Sequence, residues 1–575
     1  MSRLLLIIIA VPLVLIIAAA ILIPLLIDKD KILELAAAEV HKQTGATLEV
    51  SGDINLSIFP TLGVSLGETS VTMPEEQTMS LTAQSLEIGV QLLPLLSQKV
   101  EINTIALDGV VVKTQSAPEQ PTLEASKLSD EELDAFYAER RKALADAGES
   151  AGAEAALAVP LALNVGELSV TNSRLETTDT QSGEVSVVEL LNINARDLNL
   201  DGRPIPLKAT VRRPGEQPLT VELDGSVRVP EGAQTVGIDE LSVMLSGATP
   251  QPVKLTASGE VNLPRQIADL KLVISTGETR GDGQLRYASF ESPQIDARMA
   301  LNLLDPSLLV LAGPEATGEV ADAPKTDGDA GDQPLPLDAI RAIDTQAVLE
   351  IAQAKFDAHT IENMKVSMRA LDGVINISSL TGKLHGGVLD LKAKFNGKHN
   401  VAKLTTDGGI NTLDIPTALK AMESEPVLEG TVDLNWELVS RGSTVNELVA
   451  AMAGPIILTA NNALLKEVGV EEMMCKAVAL ANQESLSGEF PADSAFGALS
   501  AQVQVAEGKA HLQPLLASLP QIALSGSGYF DLVDQSFDTT FKARLSAGLE
   551  ELDPACRVND RLTAIDWPVK CAGDI

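Results

Sequence analysis

Apolar residues in this chain follow three successive patterns. From Leu4 to Ile27 they are continuous, broken only by Pro12 and Pro24. A run of about 20 apolar residues is long enough to cross a bilayer core as a helix. Residues 1–27 are therefore predicted to be a transmembrane anchor, with 4–27 in the membrane. Arg3 and the amino terminus precede the run, whereas Asp28, Lys29, Asp30 and Lys31 cancel beyond it. That asymmetry predicts a cytoplasmic N-terminus and an extracytoplasmic body. Ala18-Ala19-Ala20 offers a cleavage site for the alternative, a signal peptide. The apolar run continues to Ile27, however, and would leave an insoluble new N-terminus, so the uncleaved anchor is favoured. Asp30–Thr44 then shows helical spacing, with Ile32, Leu35, Ala36 and Val40 on one face and Gly45 placed to stop it.

From there the period changes to two. Leu86, Ile88, Val90 and Leu92 alternate with Glu87, Gly89 and Gln91; Leu389, Leu391, Ala393 and Phe395 alternate with Asp390, Lys392 and Lys394. Val432, Leu434, Trp436 and Leu438 do so with Asp433, Asn435 and Glu437, and comparable runs cover 207–212 and 537–545. Each predicts a strand with one apolar and one solvated face, as in antiparallel sheet. Asp-Gly, Gly-Gly and Asn-Gly pairs at Gly373, Gly386, Gly397 and Gly408 predict hairpin turns between them.

Three stretches interrupt the meander. Ser129–Ala147 is a charged helix with Glu132 in capping-box position, and with the Ala- and Gly-rich run after it forms an insertion at about 128–158. Residues 314–336 are rich in Asp, Gly, Ala and Pro and read as an acidic linker or loop. It divides the body into regions 28–313 and 337–575. Ala463–Asn482 is predicted helical.

Composition then narrows the function. A net charge of −36 argues against nucleic acid and against a polybasic grip on anionic lipid. Aromatic residues make up only 3%, so the apolar faces are Leu, Val, Ile and Ala. Of the three cysteines, Cys556 and Cys571 are close enough to close a loop of about 15 residues, worth up to roughly 3 kcal/mol; Cys475 would be left over and buried.

No catalytic constellation emerges. The five histidines are scattered, without HExxH or Cys/His spacing, and no metal or cofactor site is predicted. His385, beside Gly386 and Gly387, reads as a plain turn residue. Gly526 and Gly528 lack the third glycine and helix of a dinucleotide site. Asp327, Asp329 and Asp332 lack the Glu that completes a calcium loop. The expectation is a protein that is not an enzyme. Its apolar strand faces can be covered in two ways: by another sheet in a β-sandwich about 10 Å thick, or by acyl chains in an open, strongly curved groove.

Particular stretches bear on that choice. Thr44-Gly45, Gly52–Pro60, Leu62-Gly63-Val64, Ala83–Val90, Leu92–Leu96 and Ile105–Gly109 resemble the N-terminal region of the AsmA family. Leu380–Gly387, Leu428-Glu429-Gly430, Arg441-Gly442-Ser443, Phe496, Gly508 and Leu524–Leu532 resemble its C-terminal region. The middle, roughly 115–160 and 310–340, departs from the pattern and looks inserted. The resemblance implies a bacterial inner-membrane protein with a periplasmic body and a link to outer-membrane biogenesis. By similarity to chorein-type bridge proteins, it also implies phospholipid transport along a hydrophobic groove, with partners in outer-membrane assembly or lipid transport. The expected fold is thus mostly β: a transmembrane helix, then an elongated antiparallel β-groove with a few capping helices. Its lining is expected to include Leu86, Ile88, Val90, Leu92, Leu389, Leu391, Phe395, Val432, Leu434, Trp436 and Leu438. The alternative is a β-sandwich scaffold or regulator of outer-membrane protein assembly without bound lipid.

Overall fold

The computed structural model describes residues 47–57, 62–72, 79–91, 101–116, 164–179, 185–215, 218–247, 249–289, 294–305, 334–356, 358–531 and 536–574. The expected anchor at 4–27, Leu92, the insertion at 128–158 and all but the end of the 314–336 stretch lie outside these residues. Among the described residues no helix is long and apolar enough to cross a membrane. The described chain is mostly β, dominated by antiparallel pairing, with few helices. It divides into two compact units, one ending at Glu291 apart from a short later piece, the other holding the rest of the C-terminal half.

The first unit begins with β1 (Thr47–Val50), β2 (Ile54–Ser57), β3 (Leu62–Leu66), β4 (Thr69–Thr72), β5 (Met79–Ala83), β6 (Ser85–Val90), β7 (Ile102–Asp108) and β8 (Val111–Ser116). The long β9 (Val165–Asp179) organises them, because it is too long for one neighbour. Its first half pairs in parallel with β7 and its second half with β8. The ladder therefore forks into two arms, β7–β6–β3–β2 and β8–β5–β4–β1. At the fork Gly109 adopts φ +61, which glycine tolerates without a Cβ clash. The Val110 N–H donates to Ser173 Oγ at 3.2 Å, and the Arg174 N–H to Val110 O at 2.8 Å.

Beyond the fork the chain is a plain antiparallel meander. It comprises β10 (Val185–Leu198), β11 (Ile205–Arg213), β12 (Leu219–Arg228), β13 (Thr235–Ser246), β14 (Val253–Asn262), β15 (Ile267–Thr276) and β16 (Thr279–Ala288). Alternation predicted from the sequence holds over most of each strand, with the register shifting at bulges in β9, β10, β12 and β13.

The second unit opens with a parallel pair, β17 (Gln294–Leu304) and β18 (Asp344–Phe356), which requires a long crossover; the acidic stretch and α1 (Leu337–Ala342) lie within it. An antiparallel series follows: β19 (His359–Leu371), β20 (Val374–Leu384), β21 (Gly387–Asn396), β22 (Ala402–Asp414), β23 (Leu428–Gly442) and β24 (Gly454–Leu465). The short β25 (Ser494–Ala495) and β26 (Ala498–Ala506) both pair with β24. The series ends with β27 (Lys509–Leu519), β28 (Ile522–Asp531), β29 (Ser536–Leu545) and β30 (Trp567–Asp574). Helices α2 (Ile415–Ala421), α3 (Val445–Ala450), α4 (Val470–Asn482) and α5 (Asp560–Thr563) connect strands.

Two local expectations are corrected. The predicted helix at Ala463–Asn482 starts only at Val470, because Ala463 and its neighbours extend β24. Gly408 is not a hairpin turn. It lies within β22, where an added Cβ would stand 2.5 Å from the Leu391 Cβ, so glycine serves close strand approach. Gly373 and Gly386, with φ +75 and +78, do occupy turns.

One end of the second unit has a second layer. Met474, Cys475 and Val478 of α4 pack on Leu519, Ile522, Ala543 and Leu545 together with Leu549, Cys556 and Leu562. Cys475 is bonded to Cys556, with Cα atoms 5.1 Å apart, and Cys571 is free. The expected Cys556–Cys571 bridge is thus overturned. Cys571 is held in the β29–β30 ladder opposite Thr539, while the turn carrying Cys556 packs under α4. Asp553 fixes that turn, its buried carboxylate accepting from the N–H groups of Ser487, Gly488 and Ala555 at 2.7, 2.6 and 2.8 Å.

Candidate functional site

Cross-strand neighbours define the apolar face of each unit. In the first, one row runs Leu168, Ala195, Leu207, Gly225, Leu241 and Ala257 across β9 to β14. Beside it runs a second, Val170, Ile193, Ala209, Leu223, Val243 and Leu255. Ile88 stands opposite Ile105, which stands opposite Leu168, so the β6 residues Leu86, Ile88 and Val90 share this face. Of these two rows Ala195 alone is buried; the others are half-buried, and Ile88 is 36% exposed. The core of a closed sandwich would seal such side chains from water.

In the second unit one row runs Leu380, Leu391, Gly408, Trp436, Ile456 and Val503. The next runs Leu389, Ile410, Leu434, Leu458, Ala501 and Leu515. Phe395 lies opposite Ile375 and Leu404, Val432 opposite Leu413 and Ala460, and Leu438 opposite Thr406. All the residues singled out in β21 and β23 therefore share one face. The row through Leu391 and Trp436 is half-buried. Leu389 and Val432 are more deeply placed, at 5% and 9% exposed, and Val432 packs in a cluster with Ile415 of α2 and Phe496. Trp436 stands opposite Gly408 in the ladder, and its indole N–H donates to Thr406 Oγ1 at 3.2 Å.

The opposite face is charged. Lys208–Asp224, Lys365–Glu350 and Lys570–Asp538 pair across neighbouring strands at 2.8 to 3.1 Å. Such exposed pairs contribute little each but keep this face in water. Bulges recur in both units, and at two of them the residue that turns left-handed donates its N–H to a side chain of the adjacent strand. Asn172 donates to Asn192 Oδ1 at 3.0 Å, and Thr412 to Asp433 Oδ1 at 2.7 Å. Bulges of this kind bend a strand and increase its twist.

His385 departs from its reading as a plain turn residue. It is half-buried, with its Nε2 2.8 Å from Nδ1 of His359 at the neighbouring hairpin. Burial, and secondly the charge of His359, hold its pKa below 6.5. Nothing local in the sequence links the two, because the pairing depends on the β19–β20 register.

The family model of the AsmA family matches residues 1–229 and 288–515, well over half the chain. The protein belongs to the AsmA family. It is 20% identical over 554 residues to Protein AsmA of Escherichia coli (strain K12), covering 93% of this chain and 86% of that protein. No solved structure matches it.

Proposed function

We propose that the apolar sheet faces hold phospholipid acyl chains and that the protein carries or bridges phospholipid for outer-membrane biogenesis. In this reading residues 4–27 anchor it in a bacterial inner membrane and the body stands in the periplasm. The carrying observation is the pair of half-buried apolar rows extending from strand to strand. A ligand for that surface must be long, flexible and apolar. At about 0.8 kcal/mol per CH₂, two acyl chains exposed to water would cost well over ~10 kcal/mol, so continuity of the lining matters more than any single contact. Transfer breaks no bond, and no catalytic group is required. The buried Cys475–Cys556 bridge supports an oxidising compartment for the body. The family membership supports a role in the bacterial envelope.

The test is site-specific photocrosslinking in cells. A benzophenone amino acid at Leu241 or Leu434 is expected to give phospholipid adducts by mass spectrometry, whereas Lys271 and Glu437 on the charged face are not. L391D/L434D is expected to abolish adducts at neighbouring positions in the second unit. Adduct-free apolar positions would return the protein to the scaffold reading.

A further inference from the structure

Cationic side chains are scarce in this chain, with 43 Lys and Arg against 79 Asp and Glu. Many on the described strands stand beside a carboxylate. Lys403 and Arg441 do not. They face each other directly across β22 and β23 on the charged face, both exposed, and among the described residues neither forms an ion pair. Like charges directly opposite in an antiparallel ladder oppose folding. With carboxylates in such excess, folding alone gives no reason to leave this pair without one.

The surroundings offer the pair no opposing charge. A cavity of about 330 Å³ is lined by Asn396, His399, Asn400, Val401, Lys403 and Arg441. A second, of about 300 Å³, shares Lys403 and Arg441 and adds Val439, Ser440 and Ala451. No carboxylate lines either. The Asn396 Oδ1 accepts from the Lys398 N–H at 3.2 Å. With that amide oxygen engaged, the other end of the Asn396 amide is an NH₂ donor.

We propose that this recess at the end of β21–β23 binds a phosphate-bearing anion, with Lys403 and Arg441 as its charge partners and the Asn396 amide as a neutral donor. Guanidinium matches two phosphate oxygens at once, and the ammonium adds a point charge beside it. The recess lies on the charged face, so it stands whether or not lipid covers the apolar one. A phospholipid headgroup and a free phosphate share this chemistry.

Calorimetric titration of the full-length protein in an uncharged detergent tests it, with inorganic phosphate and with glycerophosphoglycerol, the acyl-free headgroup of phosphatidylglycerol. Saturable binding is expected, weakened at least tenfold in K403Q/R441Q and unchanged in K271Q on the exposed face of β15. A tenfold preference for glycerophosphoglycerol would identify a headgroup site; equal or tighter binding of phosphate would identify a free-phosphate site. K403E, which places opposite charges across the ladder, is expected to lose binding with an unfolding temperature no lower than that of the parent protein, separating loss of the site from loss of the fold. Absence of saturable binding, or its survival in K403Q/R441Q, overturns the proposal.

Discussion

The two units are built from the same amphipathic antiparallel strands, yet they seal their apolar residues differently. In the first, the fully buried apolar side chains are Ala83, Val110, Val165, Ala195, Ile205 and Ala268, mostly small. Its Leu207, Leu223, Leu241 and Leu255 remain half-buried. In the second, Leu519, Ile522, Leu545 and Leu549 are sealed as well. The difference lies in what is laid over the sheet. A sheet shields its own side chains mainly from neighbouring strands, as around Ile351 and Met364, and a second layer extends that burial. The C-terminal unit has that layer at one end, in α4 and the turns bridged to it. Among its described residues, the N-terminal unit has none. An amphipathic sheet can thus be closed at a chosen place by inserting a helix between two strands, without altering the strands themselves.

The strongest way to break this contrast is to remove the staple. The Cys475–Cys556 bond spans a sequence separation of 81, and a loop that long is worth about 4.5 kcal/mol in the chain-entropy account. C475S/C556S is expected to lose most of that in urea unfolding and to make α4 susceptible to protease. C571S, by contrast, is expected to leave stability within about 0.5 kcal/mol. If reductant leaves the C-terminal unit unchanged, the helix is held by packing alone.

A smaller effect sharpens the comparison at single residues. L389A removes a sealed side chain and is expected to cost about 3 kcal/mol, whereas L223A in the open row of the first unit should cost about 1 kcal/mol. Equal losses by denaturant unfolding would mean that the row through Leu223 is covered as well.

The smallest effect concerns the His359–His385 contact. His385 is held below its ordinary 6.5, so as pH falls through that value the unfolded chain binds more protons than the folded one. Stability should therefore decline as pH drops below about 7, and level off once pH passes the folded pKa. H385N is expected to flatten that acid-side slope of the unfolding temperature. An unchanged slope would assign it to other groups.

Much of this protein was legible before any fold was known. The period-two runs at Leu86–Val90, Leu389–Phe395 and Val432–Leu438 determine which side chains share a face, because strand geometry sends alternate residues to opposite sides wherever the strand lies. Gly373 and Gly386 marked turns for the same local reason. Other features depend on which strands become neighbours. The fork at β9, the place of Gly408 beneath Leu391, the meeting of His359 with His385 and the opposition of Lys403 to Arg441 all follow from ladder register. The disulfide shows the limit most clearly. Sequence distance favoured Cys571 as the partner of Cys556, but a disulfide forms between cysteines that folding brings within a few ångströms. Here α4 delivers Cys475 to that turn while the edge strand keeps Cys571 in its ladder.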